Sequence, residues 1–133
     1  MNMKKTSGFT LVELLIAVII MAVLSSIAYP LYTDQVRKAR RYDAEGVLMA
    51  LANVMEQDLA RTPNTGYGIS DLSPFSDLWA AIDNYYTFTV ANPTAFSYAL
   101  TATPKSPQSG DACGTLSLTQ NGTRSPADAG CWK

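Results

Sequence analysis

The stretch KKTSGFTLVE, residues 4–13, runs without a break into LLIAVIIMAVLSSIAY, residues 14–29. From Phe9 to Tyr29 seventeen of twenty-one residues are apolar, the exceptions being Thr10, Glu13, Ser25 and Ser26. As an α-helix, at 1.5 Å per residue, this run is about 32 Å long, close to the roughly 30 Å hydrocarbon core of a bilayer. Its length and composition predict a membrane-spanning helix. Ahead of it, residues 1–8 carry Lys4 and Lys5, which would keep the amino terminus cytoplasmic and export the remainder. A second basic cluster, Arg37, Lys38, Arg40 and Arg41, lies just beyond the run and competes in the same count.

Three readings of this segment are open: a plain signal anchor, a cleaved secretory signal with a small-residue site at Ser26-Ile27-Ala28, and a processed subunit that keeps its helix. The apolar run is longer than the 7 to 15 residues usual for a secretory signal core. It also contains a carboxylate. An acid near the bilayer interior costs about 2.5–3.5 kcal/mol even on lenient insertion scales, so Glu13 reads as a functional residue with a partner. The bland alternative is that Glu13 sits near the start of the run and snorkels to the headgroups.

Lys4-Lys5-Thr6-Ser7-Gly8-Phe9-Thr10-Leu11-Val12-Glu13 followed by an apolar helix closely resembles the class III signal of type IV pilins and related filament subunits. The resemblance implies cleavage between Gly8 and Phe9 by a prepilin peptidase on the cytoplasmic face, with N-methylation of Phe9. It places Glu13 where the family has its glutamate. Physically, Glu13 of one subunit would pair with the amino group of Phe9 on the next, and the cost of leaving either charge buried alone would fix the axial register. The partners implied are other pilin subunits, the peptidase, and the inner membrane before assembly into an extracellular pilus. Pro30 falls where such pilins commonly carry a helix-kinking proline; its missing N–H and its ring weaken the preceding turn. The alternative is that Pro30 only marks the end of the span. Ala22 stands where the family often has a mid-helix glycine, which makes local melting there less assured.

Beyond Pro30 the helical pattern continues. Val47, Leu51, Met55 and Leu59 recur every four residues and make one apolar face, with Glu45, Asn53, Glu56 and Arg61 expected opposite, and Thr62-Pro63 ends the run. One long bent helix from Phe9 to about Arg61 follows, leader 1–8, filament-core helix 9–30 and head 31–133. The Arg37–Arg41 cluster reads either as a solvated collar at the lipid headgroups or as a set of partners for acidic residues of neighbouring heads.

From Pro63 to Asn84 turn-forming residues dominate, with Phe75, Leu78, Trp79 and Ile82 spaced as a short helix. Trp79 is either a contact residue or the anchor of this loop. Tyr85–Val90 and Phe96–Ala102 read as a hairpin turning at Asn92-Pro93-Thr94, and Gly114–Thr119 reads as a third strand ended by Asn121-Gly122. The fold class is therefore α+β, a long helix packed on an antiparallel sheet of three or four strands.

Cys113 and Cys131 are the only cysteines, and seventeen residues separate them. A bridge closing such a loop contributes roughly 3 kcal/mol in the loop-entropy model. Disulfides persist in oxidising compartments, so the pair supports export of the head. Two free thiols would lack a histidine or basic neighbour to activate them. The family resemblance adds a C-terminal disulfide-bounded loop, and Cys113–Gly122 with the closing Gly130-Cys131-Trp132 looks most like a subgroup of short pilins that includes minor ones.

Composition narrows the function classes. The chain has 133 residues, one domain's worth, with a formal net charge of -1 and 16% charged residues against about 25% in a typical soluble domain. It has no histidine, which removes the Ser-His and Cys-His nucleophile pairs and the commonest zinc ligand. Asp71, Asp77, Asp83 and Asp111 do not match a calcium loop, and no phosphate cradle is present. No enzyme, metal or cofactor is expected. Asn121-Gly122-Thr123 matches a glycosylation sequon, but its Asn-Gly has a sufficient reason as a turn.

A type IV pilus subunit that works by assembly is the leading reading, its exposed head serving adhesion, motility or DNA uptake. A type II secretion pseudopilin is the rival within the family, and the cysteine pair without an acidic calcium cluster favours the pilus. The other rival is a minor pilin that binds DNA or primes assembly. Losing the leader removes two lysines and leaves eight basic against eleven acidic residues; past the helix only Lys105, Arg124 and Lys133 are basic. Phosphate binding needs several cations on one face, so DNA capture by the head is disfavoured, with the Arg37–Arg41 cluster the remaining route.

Overall fold

The computed structural model describes residues 8–133; residues 1–7, and with them Lys4 and Lys5 of the expected leader, lie outside the described residues. A single α-helix, α1, spans Leu11–Arg61, and the chain divides into two compact units, up to Gln35 and Val36–Lys133. In the first unit every side chain from Leu11 to Tyr32 is exposed. The helix there is long and apolar enough to cross a membrane, and none of its apolar window is covered by the chain's own residues. An all-round apolar helix needs lipid or other helices around it. Pro30 lies inside α1. With no N–H it leaves the carbonyl of Ser26 without a helical donor.

The second unit is an antiparallel sheet packed on the second half of α1. Strands β1 (Tyr86–Thr94), β2 (Ser97–Pro104), β3 (Leu116–Thr119) and β4 (Arg124–Ser125) lie in sequence order across it. The pairings Val90 with Leu100, Leu100 with Leu118, and Leu118 with Arg124 set the register. The period of two puts Phe88, Leu100, Ala102, Leu116 and Leu118 on the buried face and Thr87, Thr89, Thr101 and Thr103 on the other. Against that face α1 presents Ala44, Val47, Leu48, Leu51 and Met55, all buried. The every-fourth-residue stripe at Val47, Leu51 and Met55 is thus the core face.

The structure departs from the pattern reading in two places, the hairpin turn and the start of β3. Strand β1 runs through Asn92-Pro93-Thr94, after an irregularity between Ala91 and Thr94, and the chain reverses at Ala95-Phe96 instead. That reversal is held by Gly66, whose φ is +78°: an added Cβ would stand 1.6 Å from the carbonyl oxygen of Ala95, and Tyr67 donates its N–H to that same oxygen. Strand β3 begins at Leu116 because Gly114, with φ +60°, lies in a turn from Asp111. Asn121-Gly122 ends β3 by turning it into β4, a strand too short and polar to carry a sequence signal.

The apolar patch of the connecting loop forms a 3-10 helix over Ser73–Trp79, with Ile82 beyond it. Trp79 anchors the loop, packing on the core with its ring centroid 5.4 Å from that of Phe88.

Candidate functional site

Gly8 and Phe9 precede α1 and are exposed. Thr10 caps the helix. Its hydroxyl oxygen accepts the N–H of Glu13 at 3.2 Å, while Glu13 Oε2 accepts the Thr10 N–H at 3.0 Å and its hydroxyl at 2.8 Å. This reciprocal pair is a capping box, Thr-x-x-Glu, which satisfies two of the donors an α-helix leaves open at its start. The spacing stands in the sequence, but the apolar context drew attention to the charge of Glu13 and away from its capping geometry. The box fixes the carboxylate one residue from Phe9, the residue that would carry a new amino terminus. Among the described residues Oε1 of Glu13 has no hydrogen bond, so one oxygen holds the helix start and the other is available to a partner.

The cysteines lie where expected: Cys113 and Cys131 form a disulfide, Cα–Cα 5.6 Å. The loop it closes is tied to α1 by a network that the sequence reading missed. The Arg41 guanidinium forms a buried ion pair with Asp111 and donates to the carbonyl oxygen of Gly130 at 3.0 Å. Asp111 also accepts the Cys113 N–H at 3.0 Å and the Gln108 side-chain amide at 3.0 Å. Gln108 donates to the backbone carbonyl of Arg37 at 2.9 Å. Each end of the disulfide is therefore within a residue or two of a group bonded, directly or through Asp111, to Arg41.

Two expectations are corrected here. The Arg37–Arg41 cluster is neither a uniform solvated collar nor a free set of intersubunit partners: Arg41 is buried and paired within its own chain, and the Arg40 guanidinium lies 3.7 Å above the Tyr85 ring centroid. Glu45, expected on the polar face opposite the core, is 3% exposed and accepts the backbone N–H of Lys133 at 3.0 Å. The reason is shared. The chain from Asp111 to Lys133 folds back over α1 and covers positions that would otherwise be wet, and it supplies partners for part of each buried group, leaving Arg41 Nε and Glu45 Oε1 without a hydrogen bond among the described residues.

At the far end of the sheet, Glu56 accepts the hydroxyls of Tyr67 at 2.8 Å and Tyr98 at 3.3 Å. The two rings meet edge to face, 4.8 Å between centroids. Burial raises both phenols above the usual range, and the Glu56 carboxylate raises them further. Tyr86 is pushed up to about 12, by burial first, with Gln108 acting in the opposite sense. A phenol raised in the folded state favours folding while protonated. That contribution is complete below the unfolded pKa of about 10 and disappears as pH rises through the folded value. Head stability should therefore be level through neutral pH and fall between about pH 10 and 12. Urea midpoints taken across that range check it, and Tyr86→Phe should flatten the decline.

The basic residues past the helix are largely engaged. Lys105 binds Asp83, while Arg124 donates to the Lys133 carbonyl at 3.1 Å and lies 5.4 Å from the Trp132 ring centroid.

Comparison with known proteins bears on both units. Residues 30–117 match the family model described as "Type IV minor pilin ComP, DNA uptake sequence receptor", and residues 3–29 match the prokaryotic N-terminal methylation motif. Fimbrial protein Q of Moraxella bovis is 36% identical over 73 residues, 53% of this chain, and the match spans 45% of that protein, about half its length. A type IV pilin from Shewanella oneidensis, solved at high resolution, superposes with a TM-score of 0.59 at 34% identity, covering 73% of this chain and 98% of that one. With the methylation motif on an exposed apolar helix and the pilin model over the rest of that helix and the sheet as far as the start of β3, the chain belongs to the type IV pilin family.

Proposed function

We propose that this pilin is a structural subunit of a type IV pilus, cut between Gly8 and Phe9 by a prepilin peptidase, N-methylated on Phe9, and drawn from the inner membrane into an extracellular filament. The observation that carries the reading is the Thr10–Glu13 capping box at the head of a helix whose apolar surface its own chain leaves uncovered. In a filament core the neighbours' helices replace lipid around that surface. Glu13 Oε1 then accepts the amino group of the next subunit's Phe9, and Pro30 lets the helix bend as it leaves the core. The work is packing and not catalysis. Mass spectrometry of protein from sheared filaments should show a chain beginning at methylated Phe9; a start at Met1 or at Tyr29 would sink the reading.

A second reading, a minor pilin acting in DNA uptake, is supported by the description of the matching family model. The head's charge argues for a small footprint. With Arg41 buried on Asp111, Lys105 paired at the surface with Asp83 and Arg40 stacked on Tyr85, the cations left at the tail are Arg124, 5.4 Å from the Trp132 ring centroid, and Lys133, 5.7 Å from that of Tyr42. Stacking and a few phosphate contacts, in place of a broad basic face, would carry such binding.

A further inference from the structure

In the second unit a groove of about 430 Å³ opens between α1, which contributes Tyr42, Asp43, Gly46 and Val47, and the 3-10 helix, which contributes Leu78 and Trp79. Nothing inside the chain requires glycine at 46: a Cβ there would meet nothing within 4 Å, and glycine weakens a helix relative to alanine. Its effect is to keep the groove open. Tyr42 and Leu78 are 37% and 42% exposed, so one side presents an aromatic ring to solvent and the other an aliphatic side chain. Trp79 is half-buried, its ring packed on Phe88. Among the described residues Asp43 is the only charged group lining the groove, and its exposed carboxylate has neither a hydrogen bond nor an ion pair.

These groups define their complement. One unpaired negative charge in an apolar groove with aromatic sides favours a cation that has an apolar body. The kind of cation follows from the supply of acceptors. A primary ammonium brings three N–H donors and holds its water tightly. Against the rings and the floor its donors would face Val47 and Leu78, which accept nothing, and an unpaired donor is costly. An ammonium whose hydrogens are replaced by methyl groups has no donors to satisfy, and its methyl groups pack on rings and aliphatic side chains alike. The Tyr42 ring already has the Lys133 ammonium 5.7 Å from its centroid. That ring is placed where a cation is attracted, and Lys133 is a competitor for it.

We propose that the Tyr42–Asp43–Gly46–Trp79 groove binds a small quaternary ammonium compound, with its charge against Asp43 and its methyl groups against Tyr42, Leu78 and Trp79. The full chain, isotope-labelled and held in an uncharged detergent, tests this through the indole N–H resonances of Trp79 and Trp132. Choline chloride and tetramethylammonium chloride should each shift the Trp79 signal saturably in the millimolar range, and more than that of Trp132, which does not line the groove. The neutral isostere of choline, with carbon in place of nitrogen, and n-butylammonium chloride should each bind about tenfold more weakly or worse. Asp43→Asn should weaken choline binding by about tenfold. Gly46→Leu should abolish it while leaving the urea midpoint unchanged or higher, because the position is open within the chain. Lys133→Met should bind choline at least as tightly as the parent. The absence of a saturable shift would overturn the proposal. Equal binding of the neutral isostere would reduce the site to an apolar groove, and equal binding of n-butylammonium would remove the preference for methylated nitrogen. Unaltered affinity in Asp43→Asn or Gly46→Leu, or weaker binding in Lys133→Met, would place the ligand elsewhere, and each of these results also overturns it.

Discussion

Arg41→Met should destabilise the head by about 3–5 kcal/mol, the cost of removing one partner from a buried ion pair. Asp111 would keep its bonds from Cys113 and Gln108 but lose the cation that makes its burial tolerable. Gly130 would lose its donor as well. The head's total stability is of the order of 5–15 kcal/mol, so the loss is a large share of it. Arg41→Met combined with Asp111→Leu should recover most of the loss, since replacing both partners by apolar groups is often neutral. Urea unfolding of the detergent-solubilised chain, followed by tryptophan fluorescence from Trp79 and Trp132, gives both numbers. A single variant within about 0.5 kcal/mol of the parent would show that the network does not hold the loop.

Glu13→Ala has the other large expected effect, and it falls on assembly. Membrane insertion should be intact and even eased by about 2.5–3.5 kcal/mol, since a carboxylate leaves the apolar run. Recovery in filaments should drop by more than about a hundredfold, because the Phe9 amine of the next subunit would be buried without its partner at a cost of about 3–5 kcal/mol. The capping box supplies the control. Thr10→Val removes the cap but keeps the charge, at about 0.5–2 kcal/mol of helix-end stability, and should assemble far better than Glu13→Ala. Equal losses in the two variants would assign Glu13 to capping alone. Immunoblots of membrane and sheared-filament fractions read both quantities.

Much of this was legible in residue order because the signals are local. Length and apolarity mark the spanning helix, a spacing of four marks its core face at Val47, Leu51 and Met55, and alternation marks β1 and β2. The Thr10–Glu13 box was equally local and could have been read from Thr-x-x-Glu at a helix start. Arg41, Glu45, Gln108 and Asp111 had no such signal. Each looks like an ordinary surface residue at its own position, and the contacts that tie them to α1 or to the tail span dozens of residues: Asp111 is 70 positions from Arg41, Gln108 is 71 from Arg37, and Lys133 is 88 from Glu45.

The sequence by itself determined that an apolar helix with one acid near its start follows a short basic stretch, that a mixed head follows the helix, and that two cysteines can close its tail. These are statements about composition and periodicity, which bond geometry converts directly into helix, strand and turn. Only the tertiary structure decided which charges are buried. Burial of a charge depends on what folds over it, and here that is the chain from Asp111 to Lys133: Asp111 and Gly130 bind Arg41 and the Lys133 N–H binds Glu45, so that one member of an apparent basic collar becomes a pin of the head.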